Sequence, residues 1–155
     1  MTPQAIGDPS MSKTTFRSYI RSKGGSDVGT PGVLPILIKC SVDPTDTTAA
    51  GVPMVTASGA AAIIPVGGIP LSVTSLGGAA GGTNPTINVG DGTDVDGFAV
   101  NLDADGYSHR AVTGALLGIA VTGDTTVYGK VGGSAATSGT TTILVEYLPS
   151  DTGAV

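Results

Sequence analysis

Asn84-Pro85-Thr86-Ile87-Asn88-Val89-Gly90-Asp91-Gly92-Thr93-Asp94-Val95-Asp96-Gly97-Phe98 is the densest run of turn chemistry and charge in the chain. Thr86, Ile87, Asn88 and Val89 alternate polar and apolar, the period of a strand with one buried face. Three aspartates within six residues follow, with glycines at 90, 92 and 97, and Phe98 then returns the chain to an apolar run. Closely spaced aspartates that satisfy turn amides through their own side chains explain the pattern without a ligand. The stretch predicts a tight crossing between two strands, with Ile87, Val89 and Phe98 turned into a core. Removing Phe98 is then expected to cost roughly 3–5 kcal/mol, and Asp94→Ala about 1 kcal/mol as the loss of one turn hydrogen bond.

The flanking sequence has the same character. Among 155 residues there are 25 glycines, 10 prolines and 21 threonines, but one glutamate (Glu146), one glutamine (Gln4) and four lysines. Straight-chain helix formers are nearly absent and β-branched residues abound, so an all-β chain with many turns is expected. From residue 54 onward, short apolar segments recur at about 54–57, 62–66, 69–76, 86–89, 98–102, 111–121, 125–131 and 141–148. Leu71, Val73 and Ser75 alternate with Pro70, Ser72 and Thr74, and Thr141, Ile143, Val145 and Tyr147 alternate with Thr142, Leu144, Glu146 and Leu148. Short strands with a turn signal every ten residues or so predict an antiparallel sandwich or small barrel. The uncharged Gly-rich runs at 77–82 and 132–139 read as its two longest soft connections. Pro35 confines the run 33–42 to a sheet edge or a strand start.

Charge divides the chain. Residues 1–40 hold five cations against Asp8 and Asp27, a net of +3, whereas residues 41–155 hold Arg110 and Lys130 against ten acids, a net of −8. Residues 1–32 are expected to form an extended N-terminal arm with a Gly-rich linker from 24 to 32, and residues 33–155 the β body. In the arm, Phe16 and Ile20 would share one strand face and Arg17, Tyr19, Arg21 and Lys23 the other; a helix over the same residues is the alternative. A basic arm on an acidic body points to docking on an acidic neighbour. Five dispersed cations are too few to indicate nucleic acid. Charged residues make up 12% of the chain and mean hydropathy is +0.30, a poorly charged surface that favours assembly over a solitary monomer.

Other chemistries find little support. Cys40 is the single cysteine, so no internal disulfide forms, and its place at the end of an apolar run suits a buried small side chain. No apolar run reaches the ~20 residues that span a bilayer, and the N-terminus lacks the basic-then-apolar order of a secretion signal; cytosolic synthesis and no membrane partner are expected. His109 is the only histidine and reads as a solvated loop residue beside Arg110. Asp103 and Asp105 form a carboxylate pair in a turn with no apolar surroundings to raise a pKa. No nucleophile elbow, dinucleotide or phosphate-loop motif is present, so neither an enzyme nor a cofactor is expected. The 91–96 turn supplies some oxygen ligands for calcium, but an EF-hand frame begun at Gly92 has glycine at its first ligand and no flanking helices, so no metal is expected either.

The body from about residue 65 to 149 resembles small β-structured virion proteins of tailed bacteriophages, the capsid decoration or cement type. The resemblance is carried by Ile69-Pro-Leu-Ser-Val-Thr-Ser-Leu, by the 84–98 stretch and by the closing Thr141-Thr-Ile-Leu-Val-Glu-Tyr-Leu-Pro. Asp94-Val95-Asp96 stands where such proteins usually have Asp-Pro-Asp, a small departure from the family's turn pattern. The resemblance implies a jelly-roll-like sandwich and a homotrimer on the outside of a phage head. Such a trimer would bind the major capsid protein and bridge neighbouring capsid subunits to stabilise the shell. Phe16, Arg17, Tyr19, Ile20, Arg21 and Lys23 would then make subunit or capsid contacts, and Asp91, Asp94, Asp96, Gly97 and Phe98 would shape a structural turn. The virion surface is the implied location. The alternative is a tail-fibre, head-fibre or baseplate module that recognises a host glycan or protein through 77–82, 132–139 or the tyrosines at 107, 128 and 147.

Overall fold

The computed structural model describes residues 20–21, 27–28, 34–113 and 116–150. The chain divides into two compact units at Val33/Leu34. In the first, β1 (Ile20–Arg21) pairs antiparallel with β2 (Asp27–Val28), Ile20 opposite Val28 and Arg21 opposite Asp27. Part of the segment expected to be linker therefore carries strand backbone. Phe16, Arg17, Tyr19 and Lys23 lie outside the described residues.

The second unit is all-β and antiparallel, with no α-helix among the described residues. In chain order its strands are β3 (Ile36–Val42), β4 (Val52–Pro53), β5 (Val55–Thr56), β6 (Ile63–Ile64), β7 (Ile69–Ala80), β8 (Pro85–Gly90), β9 (Ala99–Asp103), β10 (Ser108–Ala111), β11 (Thr125–Thr126), β12 (Tyr128–Gly133) and β13 (Ser138–Leu148). One sheet has five strands in the order β10-β7-β13-β3-β5, another has four in the order β4-β12-β8-β9, and β11 pairs with β6. Strands distant in sequence lie side by side: β13 runs between β3 and β7, with Val145 opposite both Ile38 and Val73.

Alternation selects which face of each strand is buried. Thr141, Ile143, Val145 and Tyr147 of β13 are buried, as their period-2 spacing requires, and Ile87 and Val89 of β8 and Leu102 of β9 face them from the four-stranded sheet. Met54, Ile64, Val112 and Val127 complete one core. The buried Thr141 hydroxyl donates to the Ala104 carbonyl at 2.9 Å, so a polar atom sits in this core without an unsatisfied bond. Pro35 immediately precedes β3, the strand start its missing N–H permits.

Two expectations fail. The 77–82 and 132–139 runs are largely strand: β7 continues through Ala80, β12 through Gly133, and β13 begins at Ser138. The glycines there serve close approach. A Cβ on Gly78, at φ 126°, would collide with the Thr140 carbonyl oxygen, and one on Gly139 with the Gly78 carbonyl oxygen. Bare backbone lets β7 and β13 pass through a bulge that any side chain would block. Secondly, among its described residues the apolar run 111–121 gives only Ala111 to a strand; Leu116 to Ile119 form a turn closed by Ile119 N–H to Leu116 O at 3.1 Å, with Gly118 at φ 72°.

Candidate functional site

The 91–97 turn is built mainly by one aspartate rather than three. The Asp91 carboxylate oxygen Oδ1 accepts the backbone N–H groups of Thr93 and Asp94, both at 2.7 Å. The Asp91 N–H donates to the Asp94 carbonyl at 2.9 Å, and that carbonyl also accepts Gly97 N–H at 3.2 Å. Phe98 N–H then donates to Val89 O at 2.9 Å, which sends the Phe98 ring, 3% exposed, into the core. Gly97 is required by crowding: a Cβ there would stand 2.9 Å from both Asp94 Oδ2 and Leu116 Cδ1.

The Asp94 carboxylate meets both the Asp96 backbone N–H and the Asp96 carboxyl group. The two carboxyl groups lie side by side, so the Asp94 pKa is raised, first by the hydrogen bond its acid form makes with Asp96, then by desolvation and by the charges of Asp96 and Asp91. Asp91 thus accepts two turn amides and Asp94 one. Among the described residues no three His, Cys, Asp or Glu side chains gather as they do around a metal ion.

The same capping device recurs where it was not anticipated. Asp43 Oδ1 accepts Thr45 N–H and its hydroxyl at 2.8 and 2.7 Å, and Asp46 Oδ1 accepts those of Thr48 at 2.9 and 2.6 Å. These bonds hold both carboxyls below the ordinary aspartate range. Asp103 Oδ1 takes Asp105 N–H at 3.2 Å and Gly106 N–H at 3.1 Å, while Asp103 N–H donates to Ser108 Oγ at 2.8 Å. Asp105 is raised, contrary to expectation, and the cause is its hydrogen bond with Asp103 rather than an apolar setting. The signal was present in the sequence as Asp-x-Thr at 43–45, 46–48 and 91–93.

The catalytic candidates are dispersed. His109 lies in β10, not in a loop, and its Nδ1 is 2.9 Å from Thr74 Oγ1 on the neighbouring strand. It borders an open cleft of about 300 Å³ together with Asp96, Phe98, Val100, Arg110 and Thr113. Cys40 is buried against Met54 Sδ and the Ile143 carbonyl, each 3.5 Å from its sulfur, and burial pushes the thiol pKa up to about 12. At neutral pH it stays a neutral thiol, unsuited to nucleophilic attack. The tyrosines form no common platform: Tyr147 is in the core, Tyr128 lies opposite Gly90 with its ring against Gly92, and exposed Tyr107 follows β9 at the other end of the sheet. Of the expected arm contacts, Ile20 and Arg21 are placed in β1.

The remaining built surface is the outward face of the five-stranded sheet, which no sequence motif marked. Its registers align Lys39, Leu144, Thr74 and His109 in one row and Leu37, Glu146, Ser72 and Ala111 in the next. The Ser72 hydroxyl donates to Glu146 Oε2 at 2.7 Å. These two rows are made of leucines, alanine, hydroxyls and His109, with Lys39 and Glu146 as their cation and carboxylate.

No protein-family model matches the chain, and no curated protein matches it. Among solved structures it is similar to a chain of the cyanophage Pam1 capsid asymmetric unit, at 28% identity and a TM-score of 0.54, covering 83% of this chain and 96% of that one. The likeness supports a phage-capsid-related protein.

Proposed function

We propose that the protein is a capsid decoration, or cement, protein that acts by binding and not by catalysis. It seats on the outside of a phage head as a trimer, contacts the major capsid protein and bridges neighbouring capsid subunits. The observation that carries this reading is the match to a phage capsid chain over 96% of that chain's length. The body suits the task. Its turns are closed by their own aspartates, its core is continuous between two sheets, and its glycines lock β7 against β13. A brace against internal pressure must transmit force without deforming, and a densely packed β body does so.

The arm supplies reach. Residues 1–32 carry a net +2, four cations against Asp8 and Asp27, a charge that suits docking on an acidic neighbour. Ordering an arm on the shell loses conformational entropy, and simultaneous engagement of several arms offsets that loss by raising the effective concentration of each. The protein is made in the host cytoplasm and acts at the virion surface, with neither nucleic acid nor membrane as partner.

The test is to mix full-length protein and a variant lacking residues 1–32 with heads stripped of decoration, and to measure occupancy by cosedimentation. Full-length protein is expected to bind saturably and to raise the temperature at which heads release DNA, whereas the truncated body stays folded and fails to bind. Full occupancy by the truncated body would remove the arm from the mechanism. No binding by the intact chain would remove decoration itself.

A further inference from the structure

We infer that the outward face of the five-stranded sheet is the surface on which copies of this chain pack against each other. This rests on the oligomer of the proposed function but not on attachment to a shell. The first ground is the placement of charge. Among the described acids of the body, Glu146 is the one in the interior of a strand. Asp43, Asp46, Asp91, Asp94, Asp96, Asp105 and Asp124 are in turns, and Asp103 is the last residue of β9. With residues 41–155 at a net of −8, contact through the turn-bearing ends brings carboxylates against carboxylates.

The outward face of the five-stranded sheet is charge-balanced. Lys39 is opposite Leu144 and Glu146 is opposite Leu37, so the two charges are diagonal neighbours on adjacent strands, about 7–8 Å apart at the backbone. They do not pair with each other: Glu146 takes the Ser72 hydroxyl, and Lys39 has no ion-pair partner among the described residues. A face that carries one cation and one anion side by side is complementary to a second copy of itself, Lys39 of one copy meeting Glu146 of the next.

The second ground is apolar exposure beside those charges. Leu37 is 61% exposed and Val55 42%, and both lie on this outward side. Leu37 is flanked in its row by Glu146 and, one strand further, by Ser72, which is itself 7% exposed. An exposed leucine beside these two charges is the kind of anchor that buries on association.

The experiment is light scattering on the full chain with a charge-swap cycle. Wild type is expected at about three times 15.0 kDa, and Leu37→Glu at the monomer mass with its β-sheet circular dichroism retained. Lys39→Glu and Glu146→Lys are each expected to weaken association about ten-fold or more, and the double reversal to restore it to within about three-fold of wild type, the signature of a direct pair. Val100→Glu, on exposed β9, serves as a control with unchanged mass. A monomeric wild type overturns the inference, as does an unchanged mass for Leu37→Glu or simple additivity of the two reversals. An intact oligomer whose Leu37→Glu variant loses head binding would assign the face to the shell instead, leaving the proposed function standing while this inference falls.

Discussion

Asp91 and Asp94 differ by three positions and look equivalent in sequence, yet Asp91 accepts two backbone N–H groups while the Asp94 carboxylate lies against that of Asp96. Asp91→Ala removes the acceptor for two backbone N–H groups, both held at 2.7 Å. Bonds to a charged acceptor contribute roughly 1.5–3 kcal/mol when buried, but this turn is at the surface and water recovers part of each. The loss is therefore about 1–2 kcal/mol, the range seen when an aspartate cap is cut to alanine. At roughly 4 °C per kcal/mol for a domain of this size, the melting temperature should fall about 4–8 °C. Asp94→Asn keeps the shape and the backbone bonds and removes a carboxylate crowded by Asp96 and Asp91, so at pH 7 its melting temperature should equal or slightly exceed that of wild type. Differential scanning calorimetry of the three proteins in chelator decides. Equal destabilisation by both substitutions would refute the division of labour. A large Asp94→Asn loss that appears only with calcium present would show that the pair binds a cation.

Phe98→Ala should destabilise the body by about 3–5 kcal/mol, since the ring is 3% exposed and anchors the exit of the turn; urea unfolding measures it, and a loss under about 1 kcal/mol would mean the ring is not a core element. Stability should depend on pH with two opposed components. Asp94 and Asp105 have raised pKa values, so they destabilise the fold above those values and the penalty is relieved as pH falls toward the ordinary 3.8. Asp43 and Asp46 are lowered, so their stabilisation is complete above 3.8 and is lost as pH drops through their folded values. A melting temperature that is flat or rising from pH 7 to just above 4, then falling, is the expected profile; a monotonic fall from pH 7 would contradict it. Cys40, with its thiol pushed up to about 12, should resist thiol reagents in the native state and react at the rate of unfolding; rapid labelling of folded protein would show that the 40–54 contact opens.

Strand-scale order was legible where the side chains themselves carry it. Thr141, Ile143, Val145 and Tyr147 alternate because every second residue of a strand points the same way, and they are buried as that spacing requires. Phe98 was legible for the same reason, as an aromatic returning after turn residues. The Gly-rich runs misled. A glycine that permits a hinge and a glycine that permits two backbones to touch have the same local chemistry, and only the presence of Thr140 against Gly78 distinguishes them. Three aspartates in one turn misled likewise, because which carboxylate reaches the amides is set by the path of the backbone.

By itself, then, the chain's composition and period-2 patterning determined an antiparallel β body, its core-facing residues, its aspartate-closed turns and a charge split between residues 1–40 and the remainder. Those are properties of single strands and of net composition, and they survive without knowledge of neighbours. Tertiary structure alone decided that β13 lies between β3 and β7 and that Asp91 accepts two turn amides while the Asp94 carboxylate lies against that of Asp96. It also decided that Lys39 and Glu146, 107 positions apart by subtraction, share one outward face. Each of these depends on register between segments distant in sequence, where pairing is selected by the collective burial of a whole sheet and not by any local signal.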